Sequence, residues 1–308
     1  MMGPGIALTL ALGGLRTTIL SRTAEGADRG VAQARSLAKF LAAQDLISPA
    51  QADIAEALLS GSAAFVETIA DCDFAIESLP EDMGFKQQLF ARMDAIARPD
   101  AVLASNTSGL SITAIAAQCA RPERVVVAHF WNPPHLMPLV DVVKGARTSD
   151  GVVQAVAALM RACGKTPVVV KIDRPGGIAN RLQMALFREA ANIVAEGIAD
   201  AEAVDTVAKN GFGLRMPAYG ILEHIDIAGV DLATAVVEYV VPDLYNEPRA
   251  PELMREMVRR GELGARTGQG FYDWSVKSAE EVKARRDAFL IEVLRYRRRT
   301  QSAQKTTA

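Results

Sequence analysis

Val125-Val126-Val127-Ala128-His129-Phe130-Trp131-Asn132-Pro133-Pro134, with Leu139-Val140-Asp141-Val142-Val143 close behind it, decides how this chain is read. Four small or β-branched apolar residues predict a buried strand that delivers His129 at its C-terminal end. The Asn-Pro-Pro run predicts a turn. A second apolar strand then carries one acid, Asp141, in its middle. The 12 positions between His129 and Asp141 let the second strand turn back beside the first and bring carboxylate to imidazole. A histidine held by a buried acid is a general base with a fixed tautomer. The alternative is a satisfied core histidine beside an unrelated acid, although an acid inside an apolar strand needs a partner in either case.

Outward from this stretch, strand and helix patterns alternate. Short apolar strands are predicted over Thr17–Leu20, Phe74–Glu77, Ala101–Ser105 and Pro167–Lys171, with amphipathic stretches such as Gly84–Ala97 and Val152–Ala162 between them. Such alternation argues for a largely parallel sheet covered by helices. Arg174-Pro175-Gly176-Gly177 breaks the pattern, and the chain beyond it reads as helical almost throughout. The expected fold is therefore an α/β, Rossmann-type domain over residues 1–173 followed by an all-α domain over residues 174–308.

Composition is that of an ordinary globular protein: 308 residues, half of them hydrophobic and 23% charged. A net charge of −2 gives no basic field for nucleic acid. Cys72, Cys119 and Cys163 are far apart and lack metal-ligand spacing, as expected of buried thiols in a reducing cytoplasm. The apolar start, Met1 to Gly14, has no preceding Lys or Arg and is too short to span a bilayer. It reads as a helix opening at Gly3-Pro4-Gly5 and ending at Gly13-Gly14. No membrane association is expected.

Ser105-Asn106-Thr107-Ser108, His129-Phe130-Trp131-Asn132-Pro133-Pro134 and Leu139-Val140-Asp141-Val142-Val143, in this order, resemble the 3-hydroxyacyl-CoA dehydrogenases and their relatives, including the L-gulonate 3-dehydrogenase (lambda-crystallin) branch. The likeness runs from Gly3 to about Trp274. It implies hydride transfer between a nicotinamide cofactor and the secondary alcohol of a 3-hydroxyacyl-CoA or related hydroxy acid. His129 would be the base and Asp141, where the family usually has glutamate, its orienting acid. The shorter acid implies closer strands or an intervening water. Ser108 would hydrogen-bond the reacting oxygen, unless it caps the helix starting at Ile112, and Asn180 would reach the substrate carbonyl.

For the cofactor, the resemblance makes Gly3 the last glycine of a Gly-x-Gly-x-x-Gly turn, the one that allows close helix–strand packing. The strand and two glycines before it would then lie upstream. Either the start site is placed too late or the protein is shortened, with a damaged cofactor cradle. Glu81, Lys86 and Asn132 match family contacts near the nicotinamide, and Ser108 belongs to the same group. NAD is the default cofactor. However, Ser21-Arg22 stands where NAD-preferring domains carry an acid, and a neutral residue followed by arginine suits the 2′-phosphate of NADP. The family pairs through its helical domain, so a homodimer is implied, and the dense apolar positions Leu222, Ile225, Ile227 and Val236 read as helices packed on both sides. A dehydrogenase of a free hydroxy acid or of an aromatic hydroxymethyl or aldehyde acid is the alternative activity. A catalytically silent scaffold is the alternative class.

Overall fold

The computed structural model describes residues 2–306, with side chains through residue 300. The chain begins with α1 (Gly3–Leu12), β1 (Thr17–Leu20), α2 (Ala24–Ala43), α3 (Pro49–Ala57), β2 (Leu59–Ser62), α4 (Phe65–Asp71), β3 (Phe74–Glu77), α5 (Met83–Ile96) and β4 (Val102–Ser105). It continues with α6 (Ile112–Ile115), β5 (Val125–Phe130), β6 (Leu139–Val143), α7 (Asp150–Ala162), β7 (Thr166–Val170) and α8 (Ala179–Ala195). Strands β1 and β2 form a parallel pair, and β3-β4-β5-β6-β7 form a five-stranded sheet in that order. Within this sheet only the β5–β6 pairing is antiparallel. The Asn-Pro-Pro turn is the reason, because it is too short for a helical crossover and folds the chain straight back.

All six residues of β5 are buried. On one face of the sheet, Phe90, Leu103, Ile112, Ile115, Val125 and Val127 form a core with α5 and α6. On the other, Val126, Ala128, Val140 and Val142 meet Val153, Val156 and Met160 of α7. Helix α1 is apolar all round and serves two cores: Ile6 and Leu10 face Val126 and Ala128, while Ala7, Leu8 and Ala11 face α2. It stops at Gly13, and Gly14 takes a φ of 83° that favours glycine.

A buried ion pair fixes the entry to β5. Arg124 donates from Nε and Nη2 to Asp94 Oδ1 at 2.9 and 2.8 Å. Burial, the largest single influence, raises the Asp94 carboxyl, but the Arg124 hydrogen bond and charge together with the Arg121 and Ala120 amides hold the group below its ordinary value.

By compactness, the residues up to Arg181 together with those from Ala284 make one unit, and Leu182–Lys283 make another. The return segment is α14 (Ala279–Thr306), whose Leu290, Ile291 and Leu294 pack into the α1–α2 core. The second unit holds α9 (Ala201–Asn210), α10 (Phe212–Arg215), α11 (Ile221–Ala228), α12 (Val230–Val240) and α13 (Glu252–Arg259). Helices α9 to α12 contain no buried residue. Leu222 is 75% exposed and Ile227 76%. Of the positions whose pattern predicts packing on two sides, Leu222, Ile227 and Val236 are thus exposed within the single chain and Ile225 is half-buried.

Candidate active site

His129 and Asp141 are direct partners in the β5–β6 register, so their side chains leave the same face of the sheet. His129 Nδ1 lies 3.2 Å from Asp141 Oδ2, with the two residues only 9% and 5% exposed. The shorter acid therefore reaches the imidazole directly, and no water is needed between them. Trp131, which the sequence did not single out, donates Nε1 to the same Oδ2 at 3.1 Å. Its ring also lies 5.6 Å from that of His129. Asp141 thus receives two donors on one oxygen, which satisfies a carboxylate in an apolar strand.

His129 opens on a cavity of about 440 Å³ that Met2, Asn106, Ser108, Phe130, Trp131, Asn132 and Asn180 also line. The Ser105–Ser108 loop is fastened from below. Glu77, buried at the end of β3, accepts Ser105 Oγ at 2.7 Å, Lys86 Nζ at 2.6 Å and the Leu79 amide. Glu81 accepts Thr107 Oγ1 at 2.9 Å and the Ser108 amide at 2.6 Å. Asn106 bridges the loop to β5 by accepting the Phe130 amide at 2.7 Å, and it donates to Ser78 Oγ at 3.2 Å.

Several expected roles change in this geometry. Lys86 is 1% exposed and committed to Glu77, the Leu79 carbonyl and, at 3.6 Å, Glu81. It is a buried counter-ion on the inner face of α5 and does not line the cavity. Glu81 likewise holds the loop through Thr107 and Ser108. Ser108 is no helix cap; that task falls to Ser111, whose Oγ accepts the Ala114 amide. The Ser108 hydroxyl has no partner among the described residues, while its carbonyl accepts a hydrogen bond from the Asn180 side-chain amide. A Cβ on Gly3 would meet nothing within 4 Å. The close approach falls at Gly5, where a Cβ would lie 2.6 Å from Pro134 Cγ, because the first turn of α1 faces the Asn-Pro-Pro turn.

Asn132 precedes a cis peptide bond to Pro133 and stands exposed at the cavity edge. Ser21 and Arg22 follow β1 away from this cavity, with Arg22 exposed beside Thr23, the N-cap of α2. His135, in the turn after Pro134, is half-buried. Its ring packs edge-on to Phe40, and burial pushes its pKa down to about 4. His224 stacks near Tyr219 in the second unit and is only half-buried. Burial pushes the Cys119 thiol up to about 11 and raises those of Cys72 and Cys163, so none is a ready thiolate.

Two family models match the chain in succession: 3-hydroxyacyl-CoA dehydrogenase, NAD binding domain, over residues 1–173, and its C-terminal domain over residues 176–274. The chain belongs to the 3-hydroxyacyl-CoA dehydrogenase family. It is 32% identical to the 5-formyl-3-hydroxy-2-methylpyridine 4-carboxylate 5-dehydrogenase of Mesorhizobium japonicum, over 96% of this chain and 94% of the other. It is 36% identical to a probable 3-hydroxybutyryl-CoA dehydrogenase of Deinococcus radiodurans, over 89% of this chain and 96% of the other.

Among solved structures, a 5-formyl-3-hydroxy-2-methylpyridine 4-carboxylic acid 5-dehydrogenase, described as an NAD⁺-dependent dismutase, matches with a TM-score of 0.88 at 30% identity, covering 96% of this chain and 94% of that one. The (S)-3-hydroxybutyryl-CoA dehydrogenase of Ralstonia eutropha matches with a TM-score of 0.73 at 34% identity, covering 88% and 95%. The protein is an NAD-dependent dehydrogenase of this family, as the sequence resemblance implied.

The residues present suit NAD. The N-terminus of α1 carries no side-chain cap, Met2 lines the cavity, and the space at Gly3 is open. Free amides at a helix start are a site for phosphate. Among the described residues, no helix is long and apolar enough to cross a membrane.

Proposed function

We propose that this protein oxidises the secondary alcohol of a 3-hydroxyacyl-CoA or a related hydroxy acid, with His129 as the general base. The observation that carries the reading is the His129–Asp141 pair, opposed in register, in contact, and opening on one cavity with Ser108 and Asn180. With Nδ1 donating to Asp141, His129 keeps the lone pair on Nε2 to accept the hydroxyl proton. Asp141 holds the ring and stabilises the imidazolium that forms. Ser108 offers its unengaged hydroxyl to the reacting oxygen, and Asn180 orients the carbonyl neighbour. Bound NAD supplies the hydride acceptor. The first turn of α1, Met2 and Gly3 would hold its pyrophosphate, Asn132 would meet the nicotinamide, and Ser21 and Arg22 would face the adenosine ribose.

A second substrate reading rests on one finding, the TM-score of 0.88 to a pyridine-carboxylate dehydrogenase. It keeps every role above and replaces the acyl thioester by an aromatic aldehyde or hydroxymethyl acid. We further propose a cytoplasmic homodimer paired through the bare apolar faces of α11 and α12. The test is NADH formation with (S)-3-hydroxybutyryl-CoA, free 3-hydroxy acids and the pyridine aldehyde acid in parallel. Turnover that His129→Ala abolishes supports the enzyme. Tight NAD binding with no turnover of any of the three would leave a silent scaffold.

A further inference from the structure

Lys165 stands in the turn between α7 and β7, next to Gly164 with its φ of 73°. Its ammonium is enclosed, yet it forms no ion pair with a carboxylate among the described residues. Instead it donates to the Pro134 carbonyl at 2.6 Å and to the Met137 carbonyl at 3.0 Å. Lys165 is half-buried, and a partly enclosed cation without an anion costs more than an apolar side chain of similar length would. A lysine at this place therefore calls for a use.

Both acceptors belong to one segment, the connection from β5 to β6. That segment starts at Trp131 and Asn132, which line the cavity, and it sets where β6 returns with Asp141. Its other ties are backbone bonds and packing contacts, and no other side chain outside the segment donates to the Pro134 or Met137 carbonyl among the described residues. The amides of Leu136 and Met137 donate to the Pro133 carbonyl at 3.1 and 2.9 Å, within the turn itself. The Thr166 amide, beside Lys165, donates to the Pro138 carbonyl at 2.8 Å. Pro134 rests on Gly5, and His135 on Phe40.

We propose that Lys165 is a positioning residue, whose ammonium clasps the Pro134 and Met137 carbonyls and so aims Trp131 and the His129–Asp141 pair at the cavity. This rests on the reading of that pair given above. The clasp also makes the turn sensitive to alkali. Burial pushes the Lys165 amine down to about 8, so the donor loses its charge well before an exposed lysine would. The ionisable groups around it do not titrate there. The Cys163 thiol is raised by burial from 9.0, and His135, which senses Asp287 and Arg286 of α14, sits at about 4.

The test needs no substrate, so it separates from any failure of the proposed reaction. In full-length protein carrying Trp274→Phe, Trp131 is the single tryptophan, and its emission is followed from about pH 6 to about pH 10. The expected result is one transition with a midpoint near that of Lys165. Lys165→Met should abolish it and show the alkaline spectrum throughout, while keeping or raising the melting temperature. Lys165→Arg should retain the acid spectrum across the range. With a working substrate, Lys165→Met should lower kcat about 10-fold at unchanged KM for NAD, the scale of an orienting contact. An unchanged transition in Lys165→Met overturns the proposal, as does its persistence in Lys165→Arg if the Met variant does not fold.

Discussion

Strand β5 buries all six of its residues, whereas helices α9 to α12 bury none. The contrast separates two kinds of specification. Around β5 the charged groups that enter the core have named partners: Arg124 with Asp94, Glu77 with Lys86 and Ser105, and His129 with Asp141. The first unit therefore builds its chemistry from its own chain. The second unit presents Leu222, Ile227, Leu232 and Val236 to solvent, an apolar surface that a lone copy leaves in water. Its order is expected to come from association.

The contrast can be broken most directly at its catalytic end. His129→Ala should lower turnover by about two to four orders of magnitude with NAD affinity intact, as measured by steady-state kinetics and calorimetry. Near-normal turnover would remove the base. Next in size is Lys86→Ala, which leaves Glu77 buried without its cation. It should cost about 3–5 kcal/mol in denaturant melts. A stable variant that loses only NAD affinity would return Lys86 to the cofactor.

The first unit should also carry an acid-sensitive core. His135 is depressed to about 4, so between there and its ordinary 6.5 the unfolded chain binds more protons than the folded one. Its contribution is complete above pH 6.5 and is lost as pH falls through that window, about 3 kcal/mol in all. Melting curves of His135→Phe should lose most of this acid dependence. An identical slope would place the sensitivity elsewhere.

Two smaller effects sharpen the other side. Leu222→Asp, harmless to an isolated helix surface within about 0.5 kcal/mol, should shift the protein from dimer to monomer in sedimentation. A monomeric wild type, or a dimer indifferent to the aspartate, would refute pairing through α11. Smallest is Arg22→Ala, which should weaken NADP several-fold and leave NAD unchanged, since one exposed cation contributes on the order of 1 kcal/mol. Equal losses for both cofactors would mean that Arg22 reads no 2′-phosphate.

The fold was legible where the period was clean. Thr17–Leu20, Phe74–Glu77 and Leu139–Val143 lie where their apolar runs place them. Strand β2 was not, because Leu-Ser-Gly-Ser has little strand propensity. It forms by pairing with β1, and a Cβ on Gly61 would press Ala27 of α2 at 3.1 Å. In the site, the opposition of His129 and Asp141 followed from a period of two and a short turn. Lys86 was expected, from the resemblance, to meet the cofactor, and nothing local reveals Glu77 waiting underneath it. Trp131 and Asn106 were overlooked for a similar reason, since their partners lie 10 and 24 residues away and depend on register. Polar residues immediately after a buried strand were the available signal.

The return of α14 has a consequence for biosynthesis. Leu290, Ile291 and Leu294 complete a core begun by Leu8, and Arg295 donates to the Gln44 carbonyl across 251 residues of sequence. Closing so long a loop is slow relative to local folding. On the ribosome, the α1–α2 layer must therefore wait with an uncovered apolar groove while the whole second unit is synthesised. That interval is when chaperone capture or premature self-association would act on the nascent chain, well before any question of catalysis arises.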